Sequence, residues 1–283
     1  MTDTATTRIS VIIPSVLAET PARLREALSK QSLVPHEIIH VHDADRRGAA
    51  WARNRGVEQA SGDIVACIDD DCIPPADWLE SVSDAMARFE ADVAGGTYEE
   101  HDPFLRARRK RQAFPTKTGP DKEGMVGAGG NIAYRMTILE ALRQRDGHVF
   151  NEAFRISQDW ELMWRLRGNG ARVVFLATPV LHLKQLGPLS YLKQQFFRGI
   201  GIAGLDRLRQ RLGSGIVTHR SLLWNKSDTP KWRLRLTILW RKGIGPFDLH
   251  NFSSTAQFAL FWMGEKVQAA GYLWGKSRGP LHS

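Results

Sequence analysis

Residues 48–79 read GAAWARNRGVEQASGDIVACIDDDCIPPADWL, and this stretch decides the architecture. A helix is expected over residues 49–60, closed by Gly62. Residues 64–68, IVACI, form a short continuous apolar run, the signature of a strand covered on both faces. The run passes without a break into Asp69, Asp70 and Asp71. Upstream, residues 8–14 (RISVIIP) and 37–43 (EIIHVHD) are runs of the same kind. Between them a helix is expected with Thr20 as N-cap, Pro21 at its first position, and Leu24 and Leu28 on one face. Strand, helix, strand, helix, strand is the start of a doubly wound α/β fold with a mostly parallel sheet.

Downstream, Pro75 is expected to open a helix through about Phe89, and residues 92–97 to form a fourth strand. Residues 101–130 are rich in Arg, Lys, Pro and Gly without clear periodicity, and read as a long functional loop carrying the basic run 106–111. Helices are expected at 136–145 and 158–167, the second closed by Gly168 and Gly170, and a strand at 172–176. The tail after Gly199 reads as mainly helical, although residues 232–240 fit period 2 as well as a helical face. The expected division is an α/β domain over residues 1–200, with halves at about 1–100 and 101–200, and a basic, Trp-rich helical extension over 201–283.

With 42% hydrophobic and 24% charged residues, the chain has the make-up of an ordinary globular protein, which sets aside disordered and fibrous classes. Its net charge of +9 is not evenly spread. Residues 1–200 hold 26 basic and 26 acidic side chains, whereas residues 201–283 hold 13 and 4, together with five of the nine tryptophans. That bias suits contact with an anionic membrane surface, and the alternative is a solvated basic face. A basic binding module without catalysis would explain the charge but not the carboxylates, and nucleic acid is not the expected partner. Cys67 and Cys72 are too few for a disulfide framework and read as reduced, buried thiols. The N-terminus lacks a secretory pattern, and no apolar run approaches the roughly 20 residues of a membrane span. The expected location is therefore cytoplasmic, with peripheral contact at the inner face of the membrane.

In an open α/β sheet, ligands bind beyond the carboxyl ends of the strands. Those ends are acidic here: Asp43 closes the second strand and Asp69, Asp70 and Asp71 the third. Carboxylates so close repel one another, and a divalent cation relieves the repulsion. Mg²⁺ and Mn²⁺ commonly bind one or two carboxylates together with substrate phosphates.

Taken together, residues 48–79 resemble the donor site of family 2 glycosyltransferases. Those enzymes have a Rossmann-like GT-A fold and an inverting mechanism, and the Arg-Asn pair, Gly-Asp turn, apolar strand, Asp-x-Asp motif, proline and Trp-Leu all have counterparts here. The resemblance implies a sugar transferred from a nucleotide-sugar donor to a hydroxyl of a glycan or lipid-linked acceptor, in the setting of cell-surface glycan synthesis. It implies that Asp71 meets a metal, Mn²⁺ or Mg²⁺, and that Asp69 lies near the donor ribose, with Asp70 able to replace either. Pro14 and Ser15 would line the nucleotide base, Asp43 would bond the base edge, and Arg53 would lie against base or pyrophosphate. The family's Asp-Asp-Gly-Ser element is replaced by His42-Asp43-Ala44-Asp45, so the choice of base stays open.

Gly129, Gly130 and Asn131 match the family's glycine-rich sugar loop, where missing side chains let backbone approach a sugar. Transfer with inversion needs a base on the acceptor hydroxyl. Asp159, in Ser157-Gln158-Asp159-Trp160-Glu161-Leu162, stands at the family's base position, with Glu161 as the alternative. His182 stands where many members supply a histidine to the metal, which would favour Mn²⁺. A retaining transferase or a nucleotidyltransferase is the competing enzyme reading. The latter is weakened by the lack of glycine in residues 15–20, where a triphosphate loop would lie.

Overall fold

The computed structural model describes residues 7–109, 114–122, 124, 126, 129–212 and 255–277. The chain divides into two compact units: Met1–Glu99 with Phe114–Leu183, and Glu100–Ala113 with Lys184–Ser283. The boundary expected at residue 200 falls inside a helix of the second unit.

The first unit is built on a seven-stranded sheet of order β2-β1-β3-β8-β5-β9-β7. Its strands are β1 (Ile9–Ser15), β2 (Glu37–His42), β3 (Ile64–Cys67), β5 (Val93–Gly95), β7 (Gly119–Pro120), β8 (Ile132–Arg135) and β9 (Val173–Phe175). β1 lies parallel to β2 and β3, and β5 parallel to β9, while β8 and β7 run against their neighbours. A mixed sheet therefore results, with most strands pointing one way. β4 (Cys72–Ile73), β10 (Val180–His182) and β6 (Tyr98–Glu100) form a small second sheet.

Both faces of the sheet are covered at β1 and β3, which is why these read as unbroken apolar runs, whereas β2 at the end of the sheet buries Ile39 and Val41 and leaves Ile38 exposed. Period-2 alternation in β1 sends Ile12 to one face and Val11 and Ile13 to the other. Ile12 joins the core under α2 (Ala49–Gln59), α5 (Met136–Asp146) and α6 (Gln158–Gly168). Val11 and Ile13 join the core under α1 (Ala22–Ser29) and α3 (Trp78–Arg88). Gly56 brings α2 so close to β1 that a Cβ there would overlap Ile12.

Several elements depart from the sequence reading. Pro21, not Thr20, occupies the N-cap of α1 and caps no amide through a side chain. α3 begins at Trp78, because Pro75–Asp77 form the preceding turn. Within the expected loop, α4 (Pro103–Arg109) forms a helix whose buried Phe104 and Leu105 belong to the second unit. Residues 132–135, for which no strand was expected, form the antiparallel strand β8 between β3 and β5.

In the second unit, α7 (Pro188–Leu212) and α8 (Thr255–Ser277) lie side by side in the same direction. Tyr191 faces Gly264, Phe196 faces Gly271, and Ala203 faces Gly275. A side chain at Gly199 or Gly271 would collide with the neighbouring helix backbone, so glycine sets this close approach. Residues 232–240 lie outside the described residues. No described helix is long and apolar enough to cross a membrane.

Candidate active site

The three aspartates after β3 diverge toward different partners. Asp69 accepts a hydrogen bond from Arg53 Nη2 at 2.7 Å and one from the Tyr98 hydroxyl at 3.2 Å. Asp70 accepts from the Ser15 hydroxyl at the end of β1. Asp71 Oδ1 lies 3.4 Å from His182 Nε2 and accepts from the Cys72 thiol at 3.8 Å. Burial raises the Asp70 carboxyl above the ordinary range, with repulsion from Asp71 and Asp69 adding to it and the Ser15 hydroxyl opposing it.

Arg53 projects from α2 into the space between two acids. It is buried, and its side chain stands over the Phe150 ring at 5.8 Å. Burial works against its charge, but Asp69, Cys67 and Asp159 outweigh that and raise its pKa. Its Nε and Nη1 atoms are buried and unbonded. Cys67 behind it is a free, buried thiol pushed up to about 12 by desolvation.

The glycine loop is shaped around this pair. A Cβ on Gly129 would sit 2.8 Å from Arg53 Nη2, and one on Gly130 would sit 2.6 Å from Asp69 Cγ. The Gly130 amide donates to the Tyr98 hydroxyl at 2.7 Å, and the Gly129 amide donates to Asp159 Oδ2 at 3.1 Å. Asn131 is fully buried: its Oδ1 accepts from Trp78 Nε1 at 2.9 Å, and its Nδ2 donates to the Thr97 and Thr178 carbonyls at 2.9 and 3.2 Å. Its side chain anchors the loop rather than facing the crevice.

Asp159 stands in the first turn of α6, after Ser157 in the left-handed region at φ 72°. Oδ1 accepts from the Trp160 amide at 2.9 Å. Burial raises its pKa, while Arg53 and the two amides pull the other way. Glu161, the alternative base, is turned away. It is buried and makes two hydrogen bonds of 2.9 Å to Arg165, which also bonds Asp146 and the Val149 carbonyl. Both its oxygens are committed to a structural network, which removes it from contention.

Asp43 is buried at the end of β2, where Oδ1 accepts from the Arg47 amide at 2.8 Å and Oδ2 from the Gly48 amide at 2.7 Å. It thereby shapes the entry to α2, where Gly48 adopts φ 114°. The Asp43 amide donates to the Ser15 carbonyl at 2.7 Å, tying the β2 end to Pro14 and Ser15. Hydrogen bonds and close contacts thus link most of the residues marked in the sequence beyond the carboxyl ends of β1, β2 and β3, whereas Glu161 and the Asn131 side chain are engaged elsewhere. Tyr98 was missed: it bonds Asp69 and Gly130 and stacks on His182 at 4.6 Å. Its position just past β5, at a strand's carboxyl end, was the available signal.

A profile described as "Glycosyl transferase family 2" matches residues 18–146. Residues 18–146 carry the family 2 glycosyltransferase signature. A glucosyl-dolichyl phosphate glucuronosyltransferase of Haloferax volcanii is 39% identical over 61 residues, 21% of this chain and 19% of that protein. A pre-mycofactocin glycosyltransferase of Mycobacterium tuberculosis is 27% identical over 144 residues, 48% of this chain and 30% of that protein. The chain thus spans less than a third of either relative's length. The crystal structure of S. aureus TarS 1-349 in complex with UDP-GlcNAc superposes with a TM-score of 0.53 at 14% identity, covering 97% of this chain and 93% of that one. At that identity the likeness speaks for the GT-A fold alone. The match reaches from α1 to α5 and includes the Asp69–Asp71 triplet, Arg53 and the glycine loop, while Asp159 and His182 lie beyond it.

The first unit also holds a donor set that could take a divalent cation. One atom each from Asp71, Cys72 and His182 falls within 4.8 Å of the others. Carboxylate oxygen with imidazole nitrogen suits Mn²⁺ better than Mg²⁺, and the Cys72 sulfur is an addition the sequence reading did not include.

Proposed function

We propose that this chain transfers a glycosyl group, with inversion, from a nucleoside-diphosphate sugar to an acceptor hydroxyl in cell-surface glycan synthesis. The observation that carries the reading is the bonded chain Asp159, Gly129, Gly130, Tyr98, Asp69 and Arg53, which sets a carboxylate base beside the donor aspartates. Pro14, Ser15 and Asp43 would receive the base, and Arg53 and Asp69 the ribose-diphosphate side. Asp71 and His182 would hold Mn²⁺ or Mg²⁺, which when bound supplies positive charge against the leaving diphosphate.

In this reading Asp159 accepts the acceptor's hydroxyl proton as the oxygen bonds to the anomeric carbon, and the sugar–phosphate bond breaks with its electron pair leaving on the diphosphate. The Gly129 and Trp160 amides keep Asp159 aimed and favour its ionised form. A relative acting on a dolichyl phosphate supports a lipid-linked acceptor, and with it peripheral contact with an anionic membrane.

Calorimetry with a panel of nucleoside diphosphates, UDP first, in Mn²⁺, Mg²⁺ or EDTA tests the donor assignment. Metal-dependent binding that is lost in Asp71→Ala and kept in Asp159→Asn is expected. No binding of any nucleotide with either metal would sink it.

A further inference from the structure

We infer that one face of α8 is a docking surface for an anionic lipid bilayer. This deepens the membrane-side reading above and rests on it. At 100° per residue, Trp262, Lys266, Ala270 and Trp274 fall within an arc of about 120°, with Met263 inside the same arc. The residues that pack on α7, namely Gly264, Gln268, Gly271 and Gly275, lie on the other side of the helix. The arc faces water: Trp262, Met263 and Trp274 are 39%, 43% and 48% exposed. Two half-exposed tryptophans and a methionine on one helix face are a costly surface for a protein to leave uncovered.

The chemistry selects the occupant. The arc contains no acidic residue, and its one charge is Lys266, whose ammonium rests over the Trp262 ring at 5.1 Å. Tryptophan has an apolar body and a polar N–H, which suits the level of lipid headgroups, and lysine can lay its stem on apolar surface while reaching a phosphate. Trp262 and Trp274 are twelve residues apart, about 18 Å along the axis, so a helix lying flat would set both rings at one depth. The surrounding sequence, residues 201–283, carries 13 basic against 4 acidic residues, complementary to an anionic leaflet. A second copy fits less well, because a two-fold pairing centred on this face would bring Lys266 onto Lys266.

The test is cosedimentation of the full chain with phosphatidylcholine vesicles and with vesicles enriched in phosphatidylglycerol. Binding to the anionic vesicles that weakens with salt is expected. Trp262→Ser with Trp274→Ser should cut it about thirtyfold, and Lys266→Glu about tenfold. Because these side chains are half-exposed and none of them belongs to the proposed nucleotide site, the variants should stay folded and bind nucleotide with unchanged affinity.

Equal partitioning of wild type and variants, or equal binding to neutral vesicles, would overturn the proposal. So would a wild-type dimer that the tryptophan variants dissociate in the ultracentrifuge without any vesicle binding. Nucleotide binding without vesicle binding would reject the docking face alone, whereas loss of nucleotide binding in the wild type would reject the transferase reading.

Discussion

Replacing Gly130 by alanine asks whether the donor site is held together as tightly as its contacts imply. The new Cβ would lie 2.6 Å from both Asp69 Cγ and Asp69 Oδ2 and 2.8 Å from the Tyr98 hydroxyl. Neither neighbour can step aside freely. Asp69 is held by Arg53 at 2.7 Å, and the Tyr98 hydroxyl is tied to the Gly130 amide at 2.7 Å and to Asp69 at 3.2 Å. Overpacking of this kind costs about 1–3 kcal/mol, and losing one charge-assisted hydrogen bond adds about 1–2 kcal/mol. For a unit of this size, a loss of about 2–5 kcal/mol lowers Tm by roughly 4–20 °C. Thermal melts of Gly130→Ala should show that drop, and nucleotide titration should show at least about tenfold weaker binding, since the displaced Asp69 is a donor ligand in the proposed reading. Gly119→Ala is the control, because a Cβ there meets nothing within 4 Å. It should change stability by no more than about 1 kcal/mol. If Gly130→Ala melts and binds nucleotide like Gly119→Ala, the packing argument for the glycine loop is wrong.

The remaining predictions concern the charged groups. Burial raises the Asp159 carboxyl, so its ionised form costs stability, and that cost appears as pH rises from the unfolded carboxylate range through the raised folded value. Asp159→Asn should therefore lower kcat by about 10²–10⁴-fold without lowering Tm at neutral pH, and the wild-type rate should fall on acidification at a pH above the ordinary carboxylate range. A large drop in Tm would assign Asp159 to structure instead. Arg53→Met removes a charge that favours ionised Asp159, so the acid limb should move to higher pH, and an unmoved limb would show that Arg53 acts on Asp69 alone. Glu161→Gln breaks a buried pair with Arg165 and should cost about 3–5 kcal/mol by denaturant titration while leaving the pH–rate profile in place. A shifted profile with unchanged stability would return Glu161 to candidacy as the base.

Why some of this was legible in residues 48–79 and some was not follows from what each signal depends on. β1 and β3 are buried on both faces, so their apolar runs are dictated by local sequence, while β2 at the sheet's end buries only Ile39 and Val41 and leaves Ile38 exposed; the rule that strand ends bear ligands places Asp43 and Asp69–Asp71 at once. β8 is four residues directly after a glycine loop, and its strand state comes from pairing with β3 and β5, neighbours distant in sequence. α4 is a short basic helix whose buried Phe104 and Leu105 pack on Tyr191 and Phe261 of its own unit, so its stability comes from residues far along the chain. The roles within the aspartate triplet were open for the same reason. Sequence puts Asp69, Asp70 and Asp71 in a row, but the direction each takes is settled by Arg53 and Tyr98, Ser15, and His182 in turn. Period 2 along an extended segment sends Asp69 and Asp71 to one side and Asp70 to the other, yet here a turn follows β3, in which Cys72 bonds back to the Asp69 carbonyl at 3.1 Å. That turn separates Asp69, beside Arg53, Tyr98 and the glycine loop, from Asp71, beside His182. In the proposed reading, the division of labour between the two outer aspartates is therefore a property of the turn, and a substitution that straightened it would confuse the two roles before it disturbed the strand.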